Sequence, residues 1–158
     1  MSDNPRFIAD ATLAKLAKWL RLLGYDTVVY PGKAGRPMLR LADDEKRIVL
    51  TRRYDLLERQ FFGILYLVAG KDIAAQLREV LERFSLSTNQ YKMFTICLKC
   101  NEKLISVTRE EVRDLVPPYV FENCNIYTKC PSCQSIYWAG THQRNALHSL
   151  ENYIGTKK

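Results

Sequence analysis

The chain has 158 residues, with 24 Lys and Arg against 17 Asp and Glu, and a formal net charge of +7. That length allows one domain or two small ones, and no run approaches the roughly 20 apolar residues that a membrane span needs. The opening Met1-Ser-Asp-Asn-Pro-Arg6 lacks the apolar core of a secretory signal, so the chain is expected to be cytoplasmic, with no membrane partner. Both halves carry a mild positive excess, which suits a polyanionic partner and an ordinary solvated surface alike.

In chain order, strand and helix alternate through residue 88. Arg6 to Asp10 reads as a short buried strand ending in a carboxylate, and Thr12 is placed to cap the helix that follows. In that helix Leu13, Leu16, Ala17, Leu20 and Leu23 share an apolar face and Gly24 is the stop, while Lys15, Lys18 and Arg21 fall off the face. Asp26 to Tyr30 is a second strand, followed by a Pro/Gly loop and a short helix from Met38 to Asp44. Arg47 to Thr51 is a third strand, Asp55 to Gln60 a short helix, and Ile64 to Val68 a fourth strand. Asp72 caps a last helix whose Ile73, Leu77, Val80, Leu81 and Phe84 recur at helical spacing. Such a βαβ series implies an α/β fold with a mostly parallel sheet, helices on both faces, and ligands beyond the carboxyl ends of the strands. The polar stretch Ser85 to Gln90 reads as a boundary, so the expected units are 1–88, 89–150 and a frayed tail, 151–158.

Cys97-Leu-Lys-Cys100 and Cys130-Pro-Ser-Cys133 aim four thiolates at one point, which suits tetrahedral Zn²⁺ with Zn–S bonds of about 2.3 Å. A closed Cys₄ shell leaves no position for water, so one structural zinc per chain is expected. Disulfides and a thioredoxin-like redox pair are the rivals, disfavoured where no secretory signal is seen. Thr95 to Cys97 and Lys103 to Val107 flank one turn as strands, and Ile126 to Lys129 and Ser135 to Trp138 flank the other, giving a β-rich zinc ribbon. Thr108 with Glu111 resembles a capping box that opens a short helix to Val116. Asn101 and Gln134 follow the second cysteine of each turn, a place that favours positive φ. Cys124 is left over and reads as a buried, inert thiol. A ribbon this small needs its metal to fold.

Asp10 leaves the first strand, and Arg52, Arg53 and Asp55 leave the third, so they converge at the carboxyl-end crevice. Carboxylates gathered there hold Mg²⁺ or Mn²⁺ and generate hydroxide for phosphodiester cleavage; the plainer reading is a helix-entry acid at Asp10 and a helix cap or first-turn acid at Asp55. Lys15, Lys18 and Arg21 with Arg52 and Arg53 form a candidate basic rim for an RNA backbone, or an ordinary solvated helix face. Tyr137, Trp138 and His142 are candidates for stacking on unpaired bases, against a small core under the ribbon for the aromatic pair and a surface or turn position for the histidine.

Phe7 to Thr27, Arg47-Ile-Val-Leu-Thr-Arg52 with Asp55-Leu-Leu57, the paired cysteine turns, Val116-Pro-Pro-Tyr-Val120 and Tyr137-Trp-Ala-Gly-Thr-His142 run in one order along the chain. Together they resemble the Mut-seven C-terminal RNase family, a PIN-like nuclease domain fused to a zinc ribbon. The resemblance implies metal-dependent RNA cleavage with Asp10 as the first acid of the site. Where the family shows an acidic pair, this chain has Gly35-Arg36-Pro37, and where it shows an acid after Leu-Thr-Arg, this chain has Arg53; Asp55 matches a further acid. Asp43, Asp44 and Glu45 read as solvated charge at a helix end. An Arg53 in place of a carboxylate disfavours a divalent cation and favours phosphate. The expected function is therefore RNA binding, either with Mg- or Mn-dependent hydrolysis through Asp10 and Asp55, or as an inactive pseudo-nuclease on structured RNA or a ribonucleoprotein particle. A third expectation is a protein adaptor built on the ribbon.

Overall fold

The computed structural model describes residues 4–89 and 91–155. β1 (Phe7–Ala9) is buried along its whole length, as a strand must be when both sheet faces are covered. It pairs in parallel with β2 (Thr27–Val29) on one side and β3 (Ile48–Thr51) on the other, and β4 (Leu65–Leu67) completes the order β2-β1-β3-β4. Phe7 lies opposite Thr27 and Ile48, and Val49 opposite Leu65.

The period-two alternation decides which helix covers which face. Phe7, Ala9 and Leu50 pack with Leu16 and Leu20 of α1 (Ala14–Leu22) and, from the third helix of the chain, Leu77 and Val80. Ile8 and Val49 point the other way, onto Met38, Leu39 and Ala42 of α2 (Arg36–Glu45). That third helix is α3 (Ile73–Arg83), capped as expected by Asp72, whose carboxylate accepts from the Ala75 N–H at 2.9 Å. Fully buried leucines such as Leu16, Leu20 and Leu77 contribute about 1.5–3 kcal/mol each.

In the second half β5 (Ile105–Val107), β6 (Tyr127–Lys129) and β7 (Ile136–Trp138) form a three-stranded antiparallel sheet, and a helix α4 (Pro118–Asn123), between β5 and β6 in the chain, adds Val120 to a core with Val112, Val116 and Tyr127. The Thr108–Glu111 capping box forms reciprocally, with bonds of 2.6 and 3.2 Å. It opens only a 3-10 turn, Glu110–Val112, rather than a helix to Val116. Pro117 restricts Val116 to extended backbone, and Pro118 then starts α4. The helix expected around Asp55 to Gln60 is likewise a 3-10 turn, Tyr54–Glu58. Cys124 is half-buried against the ribbon core rather than fully enclosed.

The tail expected to fray does not do so through Ile154. α5 (Thr141–Ile154) returns from the ribbon to α1 and α3, burying Leu150 in the parallel-sheet core and setting Tyr153 edge-on to Trp19 at 5.2 Å. Residues 156–158 of that expected tail, and Gln90 of the expected boundary, lie outside the described residues. Around that boundary Leu86 and Met93 also pack on the first core, and the Tyr25 hydroxyl donates to the Ser87 carbonyl at 2.8 Å. Gly24, at φ 97°, is required twice over: a Cβ there would also lie 2.3 Å from the Lys92 carbonyl oxygen.

Candidate metal centre and nucleic-acid interface

Asp10 sits at the carboxyl end of β1, 3% exposed, and is itself the N-cap of the following 3-10 turn, Ala11–Leu13. Thr12 is the donor rather than the cap, giving both its N–H, at 2.9 Å, and its hydroxyl to Oδ1. Oδ2 accepts from the Thr51 hydroxyl at 2.6 Å and the Arg52 N–H at 3.0 Å. Burial alone would raise the Asp10 carboxyl, but these four bonds hold it below the ordinary aspartate value. A carboxylate has about four lone-pair sites, and all of them are occupied here.

The residues around Asp10 are tied to one another in the same way. The Arg52 guanidinium donates to the Gly70 carbonyl beyond β4. Glu79, reaching from α3, accepts from the N–H groups of Ala69 and Gly70 and from the Tyr66 hydroxyl at 2.8 Å. Burial first, then Glu79, pushes the Tyr66 phenol up to about 12. Arg53 forms a two-bonded pair with Asp55, at 2.9 and 3.0 Å. That pairing, then the charge of Asp55 and that of Asp10, raises Arg53 above its ordinary value. Asp43 and Asp44 are exposed at the far end of α2, where Asp44 and Glu45 line a hollow with Arg6 at the amino end of β1. They do not join Asp10.

The four cysteines come together as the spacing requires. Their sulfurs all lie within 4.8 Å of one another, with Cys97 Sγ 3.7 Å from Cys133 Sγ. A regular tetrahedron of Zn–S bonds has an edge of about 3.8 Å, so the donor set fits a Zn²⁺ ion. Asn101 and Gln134 adopt φ of 65° and 68°, the left-handed conformation expected after each cysteine turn. The N–H groups of Ser132 and Cys133 point at Cys130 Sγ at 3.4 Å. Hydrogen bonding first to Cys133 pushes the Cys100 thiol up to about 12, while Ser135 leads the groups that draw Cys133 down to about 6. Without a cation Cys100 and Cys133 do not release their protons together.

Two residues expected to contact RNA, Arg21 and Tyr137, have their polar groups engaged at this centre. Arg21 donates to the Thr27 carbonyl at 2.8 Å and the Leu98 carbonyl at 2.7 Å, bridging α1, the edge strand β2 and the first cysteine turn. Burial draws it below its ordinary value, opposed by the nearby Cys97 sulfur and the Asp26 carboxylate. The Tyr137 hydroxyl contacts Cys97 Sγ at 3.2 Å and the Leu98 N–H at 3.3 Å; burial, then that sulfur, pushes the phenol up. Asn101 completes the strap: its carbonyl accepts the Thr27 N–H at 2.9 Å and its amide donates to Asp26 at 2.6 Å. Trp138 packs on the ribbon core beside Tyr127. Lys15, Lys18 and His142 remain exposed and line one groove between α1 and α5.

The model of the family described as Mut7-C RNAse domain matches residues 5–150, nearly the whole chain. The chain belongs to the Mut7-C RNAse domain family. No curated protein and no solved structure matches it. The family match spans both the parallel sheet and the cysteine cluster, so the strap between them lies within the matched residues. Among the described residues no helix is long and apolar enough to cross a membrane.

Sequence reasoning missed Glu79, which lies on the polar side of α3 and looks like any solvated acid until the turn after β4 is placed beside it. It also missed α5. Ala146, Leu150, Tyr153 and Ile154 recur at helical spacing, and that signal was sufficient to find it.

Proposed function

We propose that this chain is a PIN-like member of its family that binds RNA through phosphate and base contacts and leaves the strand intact. The observation that carries the reading is the state of Asp10: all of its acceptor sites are filled by Thr12, Thr51 and Arg52. A divalent cation there must displace a bond made by a buried carboxylate, and it meets the Arg53 cation on the same side. Asp55, the second candidate ligand, is held in its pair with Arg53. Mg²⁺ or Mn²⁺ would supply activated water and charge stabilisation, but the donor set does not fit them. Zinc in the Cys₄ cluster acts structurally, since four thiolates leave it no site for water. The basic balance of the chain and its two exposed lysines on α1 support a polyanionic partner: structured RNA, free or in a ribonucleoprotein particle of the cytoplasm.

A second reading keeps hydrolysis, because Asp10 does lie at the carboxyl end of the central strand, where parallel sheets place their chemistry. One assay separates the two. Labelled structured and single-stranded RNAs are incubated with protein and Mn²⁺ or Mg²⁺, beside Asp10→Asn. Salt-sensitive retention of uncut RNA is the expected result; cleavage by the wild type that the substitution abolishes would overturn it.

A further inference from the structure

Three adjoining hollows meet at His142. The first, about 380 Å³, lies between α1 and α5 and carries Lys15 and Lys18 on its rim. The second, about 280 Å³, opens over Leu98 toward Tyr137 and Trp138. The third, about 810 Å³, runs past Trp138 to Arg144. His142 lines all three, and Leu98 and Trp138 join them in pairs, so they form one continuous track.

The charge along this track is one-sided. Among the described residues no carboxylate lines any of the three hollows, and the first turn of α5 holds no acid. Among the described residues neither Lys15 nor Lys18 enters an ion pair. The crevice around Asp10 is the opposite case, with its cations and anions paired off. The middle hollow is smaller than the ~300 Å³ at which pockets for drug-sized ligands begin. Its walls are apolar and aromatic, suited to one planar ring entering edge-first rather than a sugar-phosphate chain.

We infer that this track is a binding site for single-stranded RNA, with Lys15 and Lys18 on consecutive phosphates and one unpaired base held in the middle hollow against His142 and Trp138. The inference rests on the RNA reading above and gives that reading its location. A duplex does not fit the arrangement, because its bases are already stacked and cannot enter the hollow. The zinc has a definite part in it: Leu98, inside the first cysteine turn, forms a wall of two of the hollows, so the metal shapes the site without touching RNA.

The test is fluorescence anisotropy of labelled oligouridylate, with its duplex on oligoadenylate as competitor, over a salt series. The zinc-loaded full chain is compared with Lys15→Gln/Lys18→Gln and with His142→Ala, all three substituted side chains being exposed. The double variant is expected to bind at least about tenfold more weakly, and the slope of log affinity against log salt to fall by about 1.4, the value for two single-strand phosphate contacts. His142→Ala is expected to weaken binding about five- to tenfold with the slope unchanged, as loss of stacking requires. Wild-type binding that all three substitutions leave untouched overturns the track while sparing the RNA reading. A duplex that competes as well as the single strand overturns the single-strand assignment. No binding by the wild type of either the single strand or the duplex at low salt overturns the RNA reading itself.

Discussion

The crevice at the carboxyl end of the parallel sheet and the groove between α1 and α5 both start from α1 and both hold polar side chains, yet they are in opposite states. Around Asp10 every group has a partner: four donors on one carboxylate, Arg52 on Gly70, Glu79 on the turn after β4, and Arg53 on Asp55. Along the groove, among the described residues, the lysines enter no ion pair and the hollows are lined largely by apolar and aromatic side chains. On the proposed reading, the carboxylate crevice and the RNA-binding surface are therefore two different places. Charge already neutralised within the protein has little left to offer a ligand, whereas unpaired cations beside an apolar slot suit a nucleic acid strand.

Removing the metal should divide the two regions most sharply. Chelation is expected to unfold β5 to β7 and erase the groove, while the parallel sheet and the Asp10 crevice persist, because the latter rests on its own apolar core. Hydrogen exchange before and after chelation reads this directly. Exchange that rises equally in both regions would show one cooperative unit and break the distinction. α5 is the element to watch: Leu150 and Tyr153 tie its second half to the sheet core, so that half should stay protected.

Leu150→Ala attacks the same junction from the other side. The leucine is 3% exposed, and deletion of such a side chain costs about 2–5 kcal/mol, to be read as a drop in Tm. Zinc content should be unchanged, since none of the four ligands touches this position. A loss of zinc would mean that α5 docking positions the cysteine turns as well.

The effect of Asp10→Asn is smaller and depends on pH. Its amide lacks the charge and turns N–H groups toward donors, at a cost of about 1–3 kcal/mol near neutral pH. The folded carboxyl titrates below its unfolded value of about 3.9. Its contribution is therefore complete above that unfolded value and is lost as the pH falls through the lower folded one. The stability gap between wild type and variant should narrow below about pH 4, measured by denaturant unfolding. A gap that widens on acidification would contradict the bonding around Asp10. Asp55→Asn marks the small end of the scale: its pair with Arg53 is exposed, and Tm should move by no more than about a degree.

How much of this was visible in the chain itself depended on whether a feature is local. The strands of the parallel sheet, the Asp72 cap, the capping box and the left-handed Asn101 and Gln134 follow from nearest neighbours and could be read directly, whereas the strand expected at Thr95 to Cys97 is only an isolated bridge between Ile96 and Lys103. The cysteine centre was equally legible, because its geometry is carried by two four-residue turns. Asp10 was identified as a key residue, but its saturation was not, since Thr51 and Arg52 lie about forty positions away in sequence and meet it only through β1–β3 pairing. Arg21 misled for the same reason. On a helical wheel it belongs with Lys15 and Lys18, yet it lies near the carboxyl end of α1, where β2 and the first cysteine turn supply carbonyls. α5 was overlooked although its apolar spacing is regular, and without it there is no groove.

Photocrosslinking decides between the two regions most directly. Oligouridylate carrying 4-thiouridine is bound to the zinc-loaded chain, irradiated, and the adduct mapped by mass spectrometry. The expected adducts fall on Tyr137, Trp138 or His142; adducts confined to Arg52 through Asp55 would return RNA to the carboxylate crevice and contradict the account.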